Sequence, residues 1–241
     1  MNWASLRVID LDGSQEIATG GDEILVLPLA GSCSVSCGDE SFDLAGRASV
    51  FDGVTDFAYL PPNSTIQIDG QGRFALPGAK AASELPFRYG PAENVVVEPR
   101  GAGSCSRWVR NFCMEATFAA SKLLACEVIT PAGNWSSYPP HKHDRDRPGE
   151  ETVLEEIYYF EIGKSGIGYM RAYRSDDRPI DVLAEVRTGD LIDVPYGWHG
   201  PAMAVPGYDM YYLNVMAGPG ERRWLICDDP AHAWIRQTWA R

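Results

Sequence analysis

Short apolar runs, separated by Gly, Pro and Asp, recur through the first half of the chain between about residues 6 and 124. The runs that we predict to be β-strands are Glu23–Leu27, Ala48–Phe51, Phe57–Leu60, Thr65–Ile68 and Val95–Val97. Sustained helical periodicity is missing from this half, and residues 76–84 are predicted as a loop or crossover. Short strands at this spacing, bounded by turn residues, are typical of an all-β sandwich or barrel.

The second half continues the pattern with strands that are more apolar. Its predicted strands are Leu123–Ile129, Glu156–Ile162, Gly166–Arg171, Ile180–Val186, Leu191–Val194 and Tyr208–Met216, together with a short strand around His141. The Gly- and Ser-rich segment Pro99–Ser106 is the predicted linker. Only the tail indicates a helix, because Asp229 suits the N-cap and Pro230 suits the first turn. The sequence therefore predicts an all-β protein with a short C-terminal helix.

The two halves of the chain look like copies of one plan. The matched segments are residues 22–27 with 155–160, and residues 46–61 with 189–195. In this match Glu23 is aligned with Glu156. A two-copy repeat predicts two domains, residues 1–119 and residues 120–241. The first domain contains no histidine, so it is expected to keep the scaffold and to lack metal ligands.

The charge balance limits the partners of this chain. Its 241 residues include 33 acidic and 21 basic side chains, for a formal net charge of −12. That balance argues against nucleic acid or an anionic membrane surface as a partner, and an anionic substrate would need a local cationic pocket. No apolar run approaches the roughly 20 residues of a membrane span, and residues 1–7 do not resemble a signal peptide. We expect a cytoplasmic protein that acts on a small molecule.

The densest chemistry lies in the segment Pro139–Asp144 and just after it. Two of the four histidines, His141 and His143, are one residue apart, so on a strand they project to the same face, with Lys142 turned away. A carboxylate follows on the next strand, and a third histidine, His199, lies in the turn after Pro195. Three imidazoles and one carboxylate suit Zn, Fe(II), Mn, Ni or Co, with zinc the first choice.

Two neighbouring carboxylates, Glu155 and Glu156, compete for the fourth ligand position. Strand alternation favours Glu156, because it places Tyr158, Phe160 and Ile162 on the same face as the ligand, as a barrel interior requires. The remaining histidine, His232, is expected to pack or cap in the terminal helix.

The spacing of these residues resembles that of the cupin superfamily. Its first motif reads here as Gly133, His141, His143, Glu156 and Gly163, and its second as Gly189, Pro195, Gly197 and His199. The interval between His143 and Glu156 is longer than the superfamily norm, and His199 comes one residue early. The resemblance implies a bicupin: two jelly-roll, double-stranded β-helix barrels, of which the second holds the metal.

Longer segments are similar to the family of 5-deoxy-glucuronate isomerases. They are residues 44–51, 134–144, 154–159, 195–201, 207–214 and 229–235. This resemblance implies a metal-dependent aldose–ketose isomerase that converts 5-deoxy-D-glucuronate to 5-dehydro-2-deoxy-D-gluconate in myo-inositol breakdown. Cupins often associate through exposed barrel edges, so a homo-oligomer is also expected.

The isomerase chemistry suggests roles for further residues. By analogy with metal-cupin isomerases, Glu156 could double as the base that moves the proton. The candidates for donating a proton to oxygen are Tyr158, Tyr211 and Tyr212, and the candidates for holding the substrate's carboxylate are Arg110 and Arg171.

Three other functions stay open for a chain with this ligand set. One is the related uronate ketol-isomerase of pectin breakdown, 5-keto-4-deoxyuronate ketol-isomerase, which shares the bicupin plan. Another is an Fe(II) cupin dioxygenase, because the same side chains bind iron. The last is a non-catalytic binding cupin, which the complete ligand set disfavours.

Overall fold

A computed structural model describes residues 1–175 and 178–239 of the chain. The described residues form eighteen β-strands, all paired antiparallel. The all-β prediction is confirmed. Within these residues no helix is long and apolar enough to cross a bilayer.

The first six strands make one sheet. They are β1 (Ala4–Ala18), β2 (Asp22–Cys37), β3 (Glu40–Arg47), β4 (Phe57–Leu60), β5 (Thr65–Lys80) and β6 (Arg88–Gly90). The order is β1-β5-β2-β4-β6, with β3 also paired to β2. The sheet encloses an apolar core to which Ile24, Val26, Val35, Ile68 and Phe74 contribute. No histidine occurs among these strands, and the buried core positions are filled by apolar side chains.

The remaining twelve strands make two further sheets. They are β7 (Val96–Arg100), β8 (Arg107–Cys113), β9 (Leu124–Thr130), β10 (Trp135–Ser136), β11 (His141–Lys142), β12 (Glu155–Ile162), β13 (Gly168–Ser175), β14 (Arg178–Val186), β15 (Leu191–Val194), β16 (Trp198–Ala204), β17 (Met210–Ala217) and β18 (Cys227–Asp228). One sheet has the order β14-β13-β16-β11-β18, with β10 on β16, and the other has the order β15-β12-β17-β9-β8-β7. Large side chains from both, including Tyr158, Phe160, Met170 and Tyr212, fill the space between them.

A shared apolar layer joins the two halves. Leu25, Leu27 and Tyr59 of the first sheet lie in one buried cluster with Tyr159 and Leu213 of the second half. Along β2 and β12, alternate residues therefore face two different cores. One face packs into the barrel of its own half, and the other packs against the neighbouring half, which is why both strands read as nearly continuous apolar runs.

The structure shifts the predicted alignment of the two halves by one residue. Glu23 accepts hydrogen bonds from the backbone N–H groups of residues 121–123, at 2.5–2.7 Å. In the same way Glu155 accepts from the backbone N–H groups of Asn2 and Trp3, at 2.7 and 2.8 Å. Glu23 therefore corresponds to Glu155, and the residue at the position of Glu156 is the apolar Ile24.

The strand pairing also bears on the predicted domain boundary at residue 119. Strands β7 and β8 precede that boundary, yet β8 pairs with β9, so both strands extend a sheet of the second half. Residues 99–106, predicted as the linker, instead end β7 and form the hairpin turn into β8, with a 3-10 turn at Gly103–Cys105. The chain passes from the first sheet to the second between Gly90 and Val96.

Several predicted strands are confirmed, and two predictions of local structure are wrong. Phe57–Leu60 and Leu191–Val194 have the predicted bounds. Residues 48–51 form a turn, in which the Asp52 N–H donates to the Ser49 carbonyl at 3.0 Å, and the apolar Val50 is buried in the layer between the halves. Residues 76–80 continue β5, although a loop was expected there.

The tail forms the predicted short helix, as a 3-10 helix over Ala233–Trp239. Its start is organised by Asp229, whose Oδ1 accepts the N–H of Ala231 at 2.9 Å and whose carbonyl accepts the N–H groups of His232 and Ala233. Further 3-10 turns lie at Ala92–Asn94 and Gly163–Ser165.

Candidate metal centre and cavity

Four side chains converge inside the second half. His141 on β11, His143 just after it, Glu156 on β12 and His199 on β16 are all buried, and one ligand atom from each lies within 4.8 Å of every other. Pairing of β11 with β16 places His141 directly opposite His199. The structure thus brings together the four groups that the sequence predicted as metal ligands.

Backbone carbonyls orient the three imidazoles. In each ring Nδ1 faces a carbonyl oxygen, so Nδ1–H can donate to it and Nε2 is directed toward the other ligand groups. The carbonyls are those of Pro139 for His141, Leu154 for His143 and Gly197 for His199, at 3.4, 3.0 and 3.1 Å. A hydrogen bond of this kind fixes the tautomer and the ring direction of a metal-binding histidine.

The carboxylate of Glu156 lies among the Nε2 atoms. Its Oε2 is 2.9 Å from Nε2 of His143 and 3.0 Å from Nε2 of His199. Burial acts to raise the pKa of Glu156, but the hydrogen bond with His143 and the closeness of His199 outweigh it and hold this pKa well below its ordinary value. Burial together with the neighbouring His199 lowers the pKa of His141 well below its usual range. The centre therefore offers an ionised carboxylate and a neutral His141.

The donor set fits a divalent metal ion. Three buried atoms, Nε2 of His141, Nε2 of His199 and Oε1 of Glu156, have no hydrogen-bond partner among the described residues. Buried polar atoms left in this way are rare, and a shared cation satisfies all of them at once. Three imidazole nitrogens and one carboxylate oxygen suit zinc and the later first-row metals.

Lys142 points away from the centre, as strand alternation predicts, into a buried ionic cluster. Its Nζ donates to Asp144 Oδ1 at 2.6 Å and to Glu151 Oε1 at 2.7 Å. Asp144 Oδ2 also accepts from Ser175 Oγ at 2.7 Å and from the backbone N–H of Gly197 at 2.9 Å. These contacts attach the segment that carries His141 and His143 to the turn that directly precedes β16 and His199.

A cavity of about 630 Å³ adjoins the histidine cluster, with His141 in its wall. Ser137, Tyr158 and Tyr212 also line it. The hydroxyl of Ser137 is 2.9 Å from the hydroxyl of Tyr158 and 3.3 Å from that of Tyr212. Burial raises the pKa of both phenols, so both are protonated at neutral pH. The volume is in the range of cavities that bind small molecules.

Three of the predicted site residues lie elsewhere. Tyr211 alternates with Tyr212, so its hydroxyl points to the other face and donates to Glu127 Oε1 at 2.8 Å. Arg110 donates to the carbonyl of Val50 at 2.7 Å, in the layer between the halves. Arg171 alternates with buried neighbours on β13 and turns outward, where it pairs with the exposed Asp181. The structure does not bring these three residues to the cavity.

Further polar and charged residues, which were not predicted from the sequence as site residues, line the cavity. They are Glu98, Arg100, Arg107, Asn214, Asp228 and Arg236. Arg100 and Arg107 flank the hairpin turn that the sequence predicted as a linker, so no pattern linked them to a site. Asn214 could have been noticed, because it is a polar residue within the apolar strand β17 and alternation places it with Tyr212.

Comparisons with known proteins agree with this architecture. The 5-deoxy-glucuronate isomerase of Halalkalibacterium halodurans is 39% identical over 242 residues, which cover 98% of this chain and 88% of that protein. The crystal structure of an IolB-like protein from Salmonella typhimurium LT2, 36% identical, superposes with a TM-score of 0.91 over 98% of this chain and 90% of that one.

A more distant structure shows the fold alone. Oxalate decarboxylase from Lactobacillus farciminis is 13% identical, with a TM-score of 0.64 over 95% of this chain and 80% of that one. The predicted bicupin fold is thereby confirmed. A model of the KduI/IolB family matches residues 3–235, nearly the whole chain. With this match and the relatives' identity over almost its full length, the chain belongs to the KduI/IolB family.

Proposed function

We propose that this chain is a metal-dependent aldose–ketose isomerase that converts 5-deoxy-D-glucuronate to 5-dehydro-2-deoxy-D-gluconate in myo-inositol breakdown. The observation that carries the proposal is the buried centre of three histidines and Glu156, which opens on a cavity large enough for a six-carbon acid. The chain is 39% identical, over nearly its full length, to a protein named 5-deoxy-glucuronate isomerase, which supports the same substrate.

The reaction moves one proton from C2 to C1 and a second from the C2 hydroxyl to the C1 oxygen. A divalent metal held by the three Nε2 atoms and Glu156 would polarise the carbonyl and stabilise the negative charge that develops on oxygen. Glu156 is the proposed carrier of the carbon-bound proton, because one of its two carboxylate oxygens can bind the metal while the other accepts the proton. An ionised carboxylate beside the substrate can accept a proton from one carbon and return it to the next.

The two phenols serve the oxygen atoms. Tyr158 lies beside the cluster, with its ring centroid 6.1 Å from that of His199, and its hydroxyl can donate to a substrate oxygen. Tyr212 and Tyr158 both contact Ser137, which can pass a proton between them. The amide nitrogen of Asn214 is buried and has no partner among the described residues, so it is the proposed donor to a sugar hydroxyl.

Zinc is the proposed metal, since a buried set of three imidazoles and one carboxylate matches its usual ligands. We propose a cytoplasmic location as well. A homo-oligomer is supported by the edge strand β7, where Val96 and Val97 are 53% and 47% exposed. Apolar side chains on an unpaired edge favour association between strands. Light scattering on the purified protein tests the assembly, and a single-chain mass would contradict it.

One assay tests the activity and the alternatives together. The purified, metal-loaded protein is incubated with 5-deoxy-D-glucuronate, the ketone is followed, and the assay is repeated after chelation. Turnover that chelation abolishes and zinc restores is the expected result. Absence of turnover by fully loaded protein would refute the proposal. Parallel samples with 5-keto-4-deoxyuronate, and an oxygen electrode with an Fe(II)-loaded sample, detect the ketol-isomerase and the dioxygenase.

A further inference from the structure

The side chains that line the cavity include more positive than negative charges. Three are arginines, Arg100, Arg107 and Arg236, and two are carboxylates, Glu98 and Asp228. Arg100 pairs with Glu98 at 2.9 Å, and Arg236 pairs with Asp228 at 2.7 Å. Arg107 has no carboxylate partner within the part of the chain that the structure describes. The cavity therefore carries one cation more than its own anions neutralise.

Arg107 is also buried, with only 8% of its surface exposed. A guanidinium keeps its charge at any physiological pH, so burying it without an anion is unfavourable. Burial, with Arg100 and Arg236 nearby, acts to lower its pKa, which has the same physical origin. The two other buried arginines, Arg47 and Arg110, both face the carboxylate of Glu127. An unneutralised buried guanidinium is best explained by an anion that arrives from outside the chain.

The surrounding hairpin turn holds this guanidinium in place. Nη1 donates to the carbonyl of Cys105 at 3.0 Å, and the ring of Trp239 covers the group with its centroid 5.2 Å from Cζ. Gly101 has φ +79°, and a Cβ there would lie 2.8 Å from Nη1 of Arg107. The turn is thus shaped around the side chain, and the N–H groups that remain are available to a ligand in the cavity.

We infer that Arg107 receives the carboxylate of the sugar acid and makes the cavity selective for acids over neutral sugars. The identity of the acid rests on the proposed function, whereas the subsite itself rests on the geometry. A planar guanidinium matches a carboxylate with two parallel hydrogen bonds. His141 and Arg107 line the same cavity, so an acid bound at Arg107 extends its other end toward the histidine cluster.

Calorimetric binding of D-glucuronate and of D-glucose to the zinc-loaded protein tests the subsite without turnover. The variants are Arg107→Gln, Arg107→Lys and the control Arg171→Gln, which removes an outward-facing arginine. We expect Arg107→Gln to weaken D-glucuronate binding roughly 10- to 100-fold, as loss of a charged hydrogen-bond pair does. Binding of D-glucose should change by less than about twofold, and Arg171→Gln should match the wild type within the same limit.

Arg107→Lys keeps the charge and removes the planar pair of donors, so it should bind D-glucuronate with intermediate affinity. Metal content and the urea midpoint show whether each variant is folded. If Arg107→Gln does not fold, the comparison of Arg107→Lys with the wild type decides, and equal D-glucuronate affinity overturns the inference. The inference is also overturned if Arg107→Gln weakens the binding of D-glucuronate and of D-glucose by the same factor. It is overturned as well if the wild type does not bind D-glucuronate.

The outcome separates this inference from the proposed function. A wild type that binds D-glucuronate through Arg107 but does not isomerise 5-deoxy-D-glucuronate would contradict the function and support the subsite. Turnover of 5-deoxy-D-glucuronate by Arg107→Gln with the wild-type KM would contradict the subsite and leave the function intact.

Discussion

A hydrogen bond of 2.9 Å joins the carboxylate of Asp144 to the backbone N–H of Gly197. The carbonyl of Gly197 in turn accepts Nδ1–H of His199 at 3.1 Å. Asp144 directly follows His143 in the chain, so one carboxylate couples the first two imidazoles to the third. Burial acts to raise the pKa of Asp144, but hydrogen bonds from Lys142 and Ser175 outweigh it and keep this pKa well below its ordinary value.

Replacing Asp144 should loosen the metal centre without removing a ligand. In Asp144→Asn the amide fills the same space, but it has one acceptor oxygen in place of two. It therefore cannot accept from both Lys142 and the Gly197 N–H, and the Gly197 turn is held less firmly. We expect metal affinity to fall roughly 10- to 100-fold, as is typical of losing such an orienting group. Titration of the chelated protein with zinc measures this affinity. Asp181→Asn, which changes an exposed carboxylate, is the control, and equal affinities in the two variants would contradict the expectation.

The histidines should differ sharply in their effect on metal content. His141→Ala removes one of the converging nitrogens, and we expect most of the bound metal to be lost. His232→Ala changes the histidine outside the cluster, whose ring lies 6.4 Å from that of Tyr138, and should retain wild-type metal content. Elemental analysis of the purified variants gives metal per chain. Wild-type content in His141→Ala would show that the ligand assignment is wrong.

Chelation should lower the thermal stability of the protein. The four ligands converge only in the folded chain, so metal at 100 times its Kd adds about 2.7 kcal/mol to the free energy of unfolding. For a chain of this size that corresponds to roughly 5–10 °C in Tm. Differential scanning calorimetry with and without chelator measures the difference. The difference should be much smaller in Glu156→Gln, and an unchanged Tm on chelation of the wild type would contradict a resident metal.

Two buried tyrosines on adjacent strands, Tyr158 on β12 and Tyr211 on β17, should separate catalysis from stability. Tyr158→Phe removes a hydroxyl that lines the cavity, so kcat for the proposed isomerisation should fall by roughly 100-fold. Tyr211→Phe removes a hydroxyl that donates to Glu127, on the face of β17 opposite Tyr212, and should cost about 1 kcal/mol of stability with kcat unchanged. Steady-state kinetics and urea unfolding of both variants provide the comparison. Equal kcat losses would mean that Tyr158 acts only through packing.

The attachment of the two halves should depend on Glu23. Its buried carboxylate accepts three backbone N–H groups of residues 121–123 and the hydroxyl of Tyr59. An amide cannot accept all of these bonds, so Glu23→Gln should lower the free energy of unfolding by roughly 1–3 kcal/mol. Zinc affinity should stay at the wild-type value, because Glu23 belongs to the first half. Glu40→Gln, at an exposed position, is the control for urea unfolding, and equal midpoints in the two variants would contradict this anchoring role.

Strand alternation allowed three of the four candidate ligands to be predicted from the sequence. His141 and His143 are two residues apart, and Glu156 shares a face with Tyr158 and Phe160, so a local rule of period two selects all three. The all-β class, several strand positions and the terminal helix follow from equally local signals. Such signals can be recognised in the sequence because they depend on neighbouring residues along the chain and not on residues that are distant in the sequence.

Alternation could also say that Tyr211 and Tyr212 face opposite ways, but not which of them faces the cavity. That depends on which side of β17 meets the other half of the protein, and only the packed structure decides it. The same holds for the repeat: Glu23 corresponds to Glu155 and not to Glu156, because each of these two carboxylates accepts backbone N–H groups of the opposite half. A shift of one residue reverses the faces of a strand.

The arginines that line the cavity could be identified only from the tertiary structure. Arg107 starts β8, which the sequence assigned to the first domain, yet β8 pairs with β9 and brings the guanidinium to the same cavity as His141. The candidates chosen from sequence, Arg110 and Arg171, meet a carbonyl and an exposed carboxylate instead. The sequence by itself predicted which side chains could hold a metal, since strand alternation and short motifs single them out. Only the tertiary structure decided which residues line the cavity beside these side chains, because that depends on pairing between strands that are distant in the sequence.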